Sequence, residues 1–93
     1  MTSSQHEPFL TERFDNALKF AHGVHRLQIR KDTLIPYVSH LISVAGLVLE
    51  SGGDEDLAMA GLLHDAVEDA EEISGEEMSG LIRAIFGDHV ADI

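Results

Sequence analysis

The sequence lacks cysteine and tryptophan and is poor in basic residues, with six Lys and Arg against 17 Asp and Glu. Without cysteine, neither a disulfide framework nor a cysteine zinc site is possible. The net charge of −11 argues against binding to nucleic acids or to an anionic membrane surface, because both depend on clustered Lys and Arg. No run approaches the ~20 apolar residues that cross a bilayer, and the first residues do not read as a signal peptide. We therefore expect one small cytoplasmic domain.

Apolar residues recur with helical spacing, and no window alternates as a strand would. After a flexible lead-in over residues 1–8, the pattern predicts helices over residues 9–27, 36–50, 55–69 and 74–86 and the start of a fifth at residue 88. Residues that cap helix N-termini well stand near the starts of three of them: Thr11, Asp54 and Ser74. Glu77 completes a capping box with Ser74. The sequence thus predicts an all-α, compact bundle of four to five helices over residues 9–93.

The third predicted helix combines an apolar body with acids at its end. From residue 57 to 67 it reads LAMAGLLHDAV, with only His64 and Asp65 polar, and a helix apolar on every side belongs inside a bundle. Four polar residues would share a sector about 140° wide: His64, Asp65, Glu68 and Asp69. An unpaired buried carboxylate costs several kcal/mol, and five of the six basic residues precede residue 32. A metal ion is the simplest source of the compensating charge.

Imidazole and carboxylate ligands together suit Zn²⁺, Mn²⁺ or Fe²⁺ better than Ca²⁺ or Mg²⁺. Other interpretations stay open at this point. Glu68 and Asp69 begin the acidic run EDAEE and are also compatible with solvated positions. His40 interrupts the apolar face of the second helix, where a lone histidine is more typical of a hydrogen-bonded core residue than of a metal ligand.

Four segments, in this order, resemble the HD superfamily of metal-dependent phosphohydrolases: ALKFAH at 17–22, RK at 30–31, PYVSHL at 36–41 and LLHDAVEDA at 62–70. Within that superfamily the sequence is most similar to the hydrolase domain of the RelA/SpoT family. That domain removes the 3′-pyrophosphate from (p)ppGpp, the alarmone of the stringent response. The similarity extends from about residue 14 to FGDHVADI at the end.

The resemblance implies a role for individual residues. As metal ligands it implies His40, His64 and Asp65, with Mn²⁺ the usual ion. As the acidic pair that orients or activates the attacking water it implies Glu68 and Asp69, and as basic residues near the nucleotide Arg30 and Lys31. The family's fourth ligand, an aspartate beyond the FG…VA segment, has no obvious counterpart here. We therefore expect an HD domain that is incomplete at its C-terminus.

The function predicted from the sequence is metal-dependent hydrolysis of a guanosine tetraphosphate-like nucleotide, with no nucleic acid or membrane partner. Whether the 93 residues alone turn over substrate stays open. One alternative is an HD-type nucleotidase that acts on ordinary nucleoside phosphates. The other is a truncated, non-catalytic helical module that forms a homo-oligomer, because four or five short helices leave an apolar third helix partly uncovered.

Overall fold

The computed structural model describes residues 9–69 and 73–93. They form six helices: α1 (Glu12–Val24), α2 (Val38–Glu50), α3 (Glu55–Leu63), α4 (Ala66–Asp69), α5 (Gly75–Phe86) and α6 (Asp88–Asp92). No strand occurs within these two ranges, so the all-α prediction is confirmed, and no helix described there is long and apolar enough to cross a bilayer. The lead-in predicted over residues 1–8 lies outside the described residues.

The N-caps predicted from the sequence are all present. The side chains of Thr11 and Asp54 accept hydrogen bonds from backbone N–H groups in the first turns of α1 and α3. At the start of α5, the Ser74 hydroxyl accepts from the Glu77 N–H at 3.1 Å, and the Glu77 carboxylate accepts from the Ser74 N–H at 3.0 Å. These bonds satisfy N–H groups that a helix start otherwise leaves without partners.

The third helix is not continuous, contrary to the prediction of a single helix that reaches residue 69. α3 ends at Leu63, His64 and Asp65 form a turn, and α4 follows. His64 Nδ1 lies 2.6 Å from the carbonyl oxygen of Gly61. In a continuous helix that oxygen accepts from the N–H of Asp65. The imidazole therefore competes for the bond that would carry the helix onward.

α3 lies at the centre of the bundle, in contact with α1, α2 and α6. Its buried residues are Ala58, Met59, Leu62 and Leu63, as expected for a helix of this composition. Burial of a side chain such as Met59 or Leu62 contributes about 1.5–3 kcal/mol. Because the buried body of α3 is fixed by three neighbouring helices, the turn that follows it is held in a defined place.

The connection between α1 and α2 folds back on itself. An isolated antiparallel bridge joins Ile29 and Pro36, and the Tyr37 N–H donates to the Gln28 carbonyl oxygen at 2.9 Å. Asp32 lies at the tip with φ 62°, a left-handed conformation that Asp tolerates better than most residues. This closed loop carries Gln28 and Tyr37 to the C-terminal end of α3.

Candidate functional site

Three of the predicted site residues meet where the first turn of α2 faces the turn between α3 and α4. His40, His64 and Asp65 each offer one ligand atom, and the three atoms lie within 4.8 Å of one another. Nε2 of His64 is 3.1 Å from Asp65 Oδ2, and Nε2 of His40 is 3.9 Å from the same oxygen. The Asp65 side chain is 19% exposed, so its carboxylate is largely withdrawn from solvent.

Hydrogen bonding around His64 fixes which ring nitrogen is free. The Gly61 carbonyl oxygen can only accept, so His64 Nδ1, 2.6 Å away, carries the proton of that hydrogen bond. In the neutral ring, Nε2 then turns its lone pair towards the Asp65 carboxylate, 3.1 Å away. Two lone pairs in this arrangement repel unless a cation or a second proton lies between them. The donor set and its orientation therefore fit a divalent metal ion.

Tyr37 is a member of the site that sequence reasoning did not assign to it. Its hydroxyl donates a hydrogen bond to Asp65 Oδ2. That bond, together with burial and the negative charges of Asp65 and Asp69, raises the pKa of Tyr37 to about 12. The available signal was spacing, because Tyr37 precedes His40 by three residues and helical residues three apart lie on the same side.

Among the described residues, no Arg or Lys forms an ion pair with the acidic residues of the site. The ion pairs of Arg and Lys found within residues 9–69 and 73–93 join Arg13 to Glu55 and Asp56, and Arg83 to Asp88 and Asp92. In this part of the chain, the ion-pair partners of Asp65 are the two imidazoles. The shortage of positive charge anticipated from the sequence is thus present in the fold.

The predicted catalytic pair, Glu68 and Asp69, lies on the single turn of α4 but outside the cluster of His40, His64 and Asp65. Glu68 is exposed, while Asp69 is half-buried and accepts a hydrogen bond from Gln28 Nε2 at 3.4 Å. That these two residues share a sector with His64 and act on the attacking water stays a prediction.

The predicted substrate-binding residues, Arg30 and Lys31, are exposed in the loop between α1 and α2. The positive charge of Arg30 opposes the rise of the Tyr37 pKa. Among the residues that the structure describes, no hydrogen bond or ion pair joins Lys31 to the cluster.

Known proteins that are similar to this chain include enzymes named guanosine-3′,5′-bis(diphosphate) 3′-pyrophosphohydrolase. Residues 17–93 match the family described as HD domain. A protein of Synechocystis sp., named probable guanosine-3′,5′-bis(diphosphate) 3′-pyrophosphohydrolase, is 44% identical over 77 residues, which cover 83% of this chain and 9% of that protein. The guanosine-3′,5′-bis(diphosphate) 3′-pyrophosphohydrolase MESH1 of Drosophila melanogaster is 37% identical over 86 residues, which cover 82% of this chain and 48% of that protein.

One solved structure is similar in fold as well as in sequence. It is described as a metazoan ortholog of SpoT that hydrolyses ppGpp, and it aligns with a TM-score of 0.78 at 32% sequence identity. The alignment covers 92% of this chain and 47% of that one. This chain therefore spans about half or less of the length of these relatives.

Proposed function

Because this chain belongs to the HD domain family, we propose that it provides the metal-binding part of a phosphohydrolase that removes the 3′-pyrophosphate of (p)ppGpp or a related nucleotide. The family predicted from four sequence motifs is confirmed by the match over residues 17–93. The activity for which the Synechocystis and Drosophila relatives are named supports the substrate class. The observation that carries the proposal is the convergence of His40, His64 and Asp65, whose ligand atoms lie within 4.8 Å.

The proposed cofactor is a divalent metal ion, with Mn²⁺ as the favoured ion. Two imidazole nitrogens and one carboxylate oxygen are a mixed donor set that suits Mn²⁺, Fe²⁺ and Zn²⁺. The free lone pair of His64 Nε2, directed at Asp65, supports a cation between these residues. When bound, such an ion would supply positive charge that activates water and offsets the charge of the phosphate.

The acidic pair on α4, Glu68 and Asp69, would take part in removing the proton from the attacking water. Glu68 is exposed to solvent on α4, which begins directly after Asp65. It can therefore accept that proton as a general base. Asp69 would assist through a hydrogen bond. Removal of the 3′-pyrophosphate from ppGpp by water leaves GDP and pyrophosphate.

Positive charge near the loop tip would attract the substrate. On a chain with a net charge of −11, a nucleotide with several phosphates is repelled overall, and Arg30 and Lys31 provide the opposing local field. Support for Arg30 comes from its electrostatic effect on Tyr37, whereas the role of Lys31 depends on the family resemblance. Homo-oligomer formation stays a prediction from the sequence.

The first test is the change Asp65→Ala. We expect Mn²⁺ affinity, measured by isothermal titration calorimetry, to fall by at least about 100-fold, because ligand loss should exceed the 10–100-fold effect typical of losing a residue that only supports a ligand. Hydrolysis of ppGpp should be lost with it. The matched control is Asp15→Ala, an exposed acidic residue of α1. Undiminished Mn²⁺ affinity in Asp65→Ala would refute the metal site.

Product analysis distinguishes hydrolysis of ppGpp from hydrolysis of ordinary nucleoside phosphates. With ppGpp, release of pyrophosphate together with GDP supports the proposed reaction. If orthophosphate is released from GMP or GTP while ppGpp is untouched, the protein is instead a nucleotidase on ordinary nucleoside phosphates.

A further inference from the structure

A buried histidine, His25, and a half-buried glutamine, Gln28, form a hydrogen-bond chain beside the candidate metal site. His25, directly after α1, is 2% exposed, and Gln28 lies in the following loop. His25 Nδ1 is 2.7 Å from Gln28 Oε1, and Gln28 Nε2 is 3.4 Å from Asp69 Oδ2. The chain thus runs from the protein interior to one of the two carboxylates proposed for catalysis.

We propose that His25 and Gln28 are positioning residues that hold the carboxylate of Asp69 in its working orientation. The inference rests on the proposed function, because Asp69 matters to hydrolysis only if the protein is a hydrolase. The hydrogen-bond chain itself is a property of the fold and can be tested without any activity.

Only one placement of the protons gives each contact in this hydrogen-bond chain one donor and one acceptor. A carboxylate only accepts, so Gln28 must present its NH₂ group to Asp69 and its carbonyl oxygen to His25. That oxygen also only accepts, and therefore His25 Nδ1 carries the proton. The reversed amide would place Gln28 Oε1 against a carboxylate oxygen. His25 thereby sets the orientation of the Gln28 amide, and the amide in turn orients Asp69.

Burial of His25 enforces this arrangement. Its Nε2 is buried and has no hydrogen-bond partner among the described residues. A proton there would leave a buried donor unsatisfied and the ring charged inside the protein, both of which cost free energy. The imidazole therefore keeps its proton on Nδ1, where Gln28 accepts it.

The carboxylate of Asp69 needs such external support. α4 has only four residues, and a helix of one turn fixes its last residue weakly by its own hydrogen bonds. His25 also supports the candidate metal site through Tyr37. The ring centroids of His25 and Tyr37 are 5.0 Å apart, and the Tyr37 hydroxyl donates a hydrogen bond to Asp65. One buried ring thus supports both the catalytic carboxylate and the metal-binding carboxylate.

The first experiment uses the side-chain amide signals. The chain has three side-chain amides, those of Gln5, Asn16 and Gln28, so three NH₂ pairs are expected in a ¹H–¹⁵N spectrum. In Asp69→Ala, the Gln28 pair should shift because it loses its acceptor, while the Asn16 pair stays in place. An unmoved Gln28 pair in a folded Asp69→Ala chain would overturn the proposal.

The second experiment is kinetic and uses Gln28→Met, which keeps the length of the side chain but removes the donor. We expect kcat for ppGpp to fall about 10-fold, the usual scale for a residue that orients a functional group. KM and Mn²⁺ affinity should stay unchanged, because His40, His64 and Asp65 are untouched. The matched control is Leu27→Met, since Leu27 is the neighbouring residue and is 95% exposed.

A double-mutant cycle completes the test. If Gln28 acts through Asp69, adding Gln28→Met to Asp69→Asn should cause no further loss of kcat. Unchanged kcat in Gln28→Met, or losses that multiply in the double variant, would overturn the positioning role. If the wild-type chain hydrolyses none of the nucleotides, the proposed function fails, and the amide spectrum still decides whether Gln28 holds Asp69.

Discussion

At the scale of single residues, the site is organised around Asp65. Its Oδ2 is approached by the imidazoles of His40 and His64 and by the hydroxyl of Tyr37. A carboxylate can accept several hydrogen bonds or share its charge with a metal ion. Tyr37 therefore acts as a neutral donor to the Asp65 carboxylate, and its own ionisation reports on the charge of Asp65.

Titration of Tyr37 tests the hydrogen bond between the Tyr37 hydroxyl and the Asp65 carboxylate. Tyr37 is the only tyrosine and the chain has no tryptophan, so absorbance near 295 nm follows one phenol. In the metal-free protein we expect a midpoint at about 12 instead of the ordinary value of 10.0. Because the folded pKa is raised, the contribution of Tyr37 to stability is full below pH 10 and is lost as the pH rises towards 12.

The control for this titration is Asp65→Asn, which removes the negative charge. We expect the midpoint to move back towards 10.0, with circular dichroism showing that the chain is folded throughout. A wild-type midpoint near 10.0 in a folded chain would contradict the hydrogen bond between Tyr37 and Asp65.

At the scale of the elements, the close approach of α2 and α3 places His40 opposite the turn that carries His64 and Asp65. Gly61 permits this approach. A Cβ atom at Gly61 would lie 3.2 Å from Val44 Cγ1 and 3.7 Å from the Ala45 backbone. By contrast, a Cβ at Gly46, which lies in α2, would meet nothing within 4 Å. The two glycines therefore differ in what they contribute to the fold.

Alanine substitutions should separate the two glycines. Gly46→Ala should raise the free energy of unfolding by about 1 kcal/mol, because alanine restricts the unfolded chain and favours helix. Gly61→Ala makes the same gain in helix propensity but must displace Val44, so we expect its stability to lie at least about 1 kcal/mol below that of Gly46→Ala. Urea denaturation measures both. Equal stabilisation would show that α2 and α3 separate without cost.

At the scale of the whole molecule, one polar network ties the two ends of the described chain together. Arg13 of α1 donates to Asp56 Oδ1 at 2.7 Å, and Nδ1 of His89 in α6 lies 2.8 Å from Asp56 Oδ2. Arg13 also donates to the carbonyl oxygen of Phe86 at 2.9 Å. The hydrogen bonds from His89 and Arg13 lower the pKa of the Asp56 carboxyl below its ordinary 3.8.

This network predicts a dependence of stability on pH. Since the Asp56 pKa is lower in the folded chain than in the unfolded chain, its stabilising contribution is present above pH 3.8 and is lost as the pH falls through the folded value. We expect Asp56→Asn to unfold in less urea than the wild type at pH 7, with a smaller difference at about pH 3.

The matched control for Asp56 is Asp32→Asn, because Asp32 is exposed and its positive φ of 62° suits Asn equally well. It should resemble the wild type at both pH values. A difference between wild type and Asp56→Asn that stays constant from pH 7 to pH 3 would contradict the ionic contribution of Asp56.

The sequence by itself determined the helical class, the caps and the family. Apolar spacing, the residues Thr11, Asp54 and Ser74, and the ordered motifs are local patterns, and local patterns follow from backbone hydrogen bonding and side-chain burial within one element. His64 and Asp65, adjacent in the chain, could be grouped from the sequence for the same reason.

The tertiary structure decided what depends on contacts between distant segments. Packing of α2 on α3 brings His40 close to Asp65, which lies 25 positions further along the chain. The folded loop between α1 and α2 brings Tyr37 to Asp65 and Gln28 to Asp69. At the break after Leu63, the His64 side chain forms a hydrogen bond with the Gly61 carbonyl oxygen and so competes with the backbone N–H of Asp65. Helical periodicity cannot anticipate that competition, since it is decided by the direction of one side chain in the packed fold.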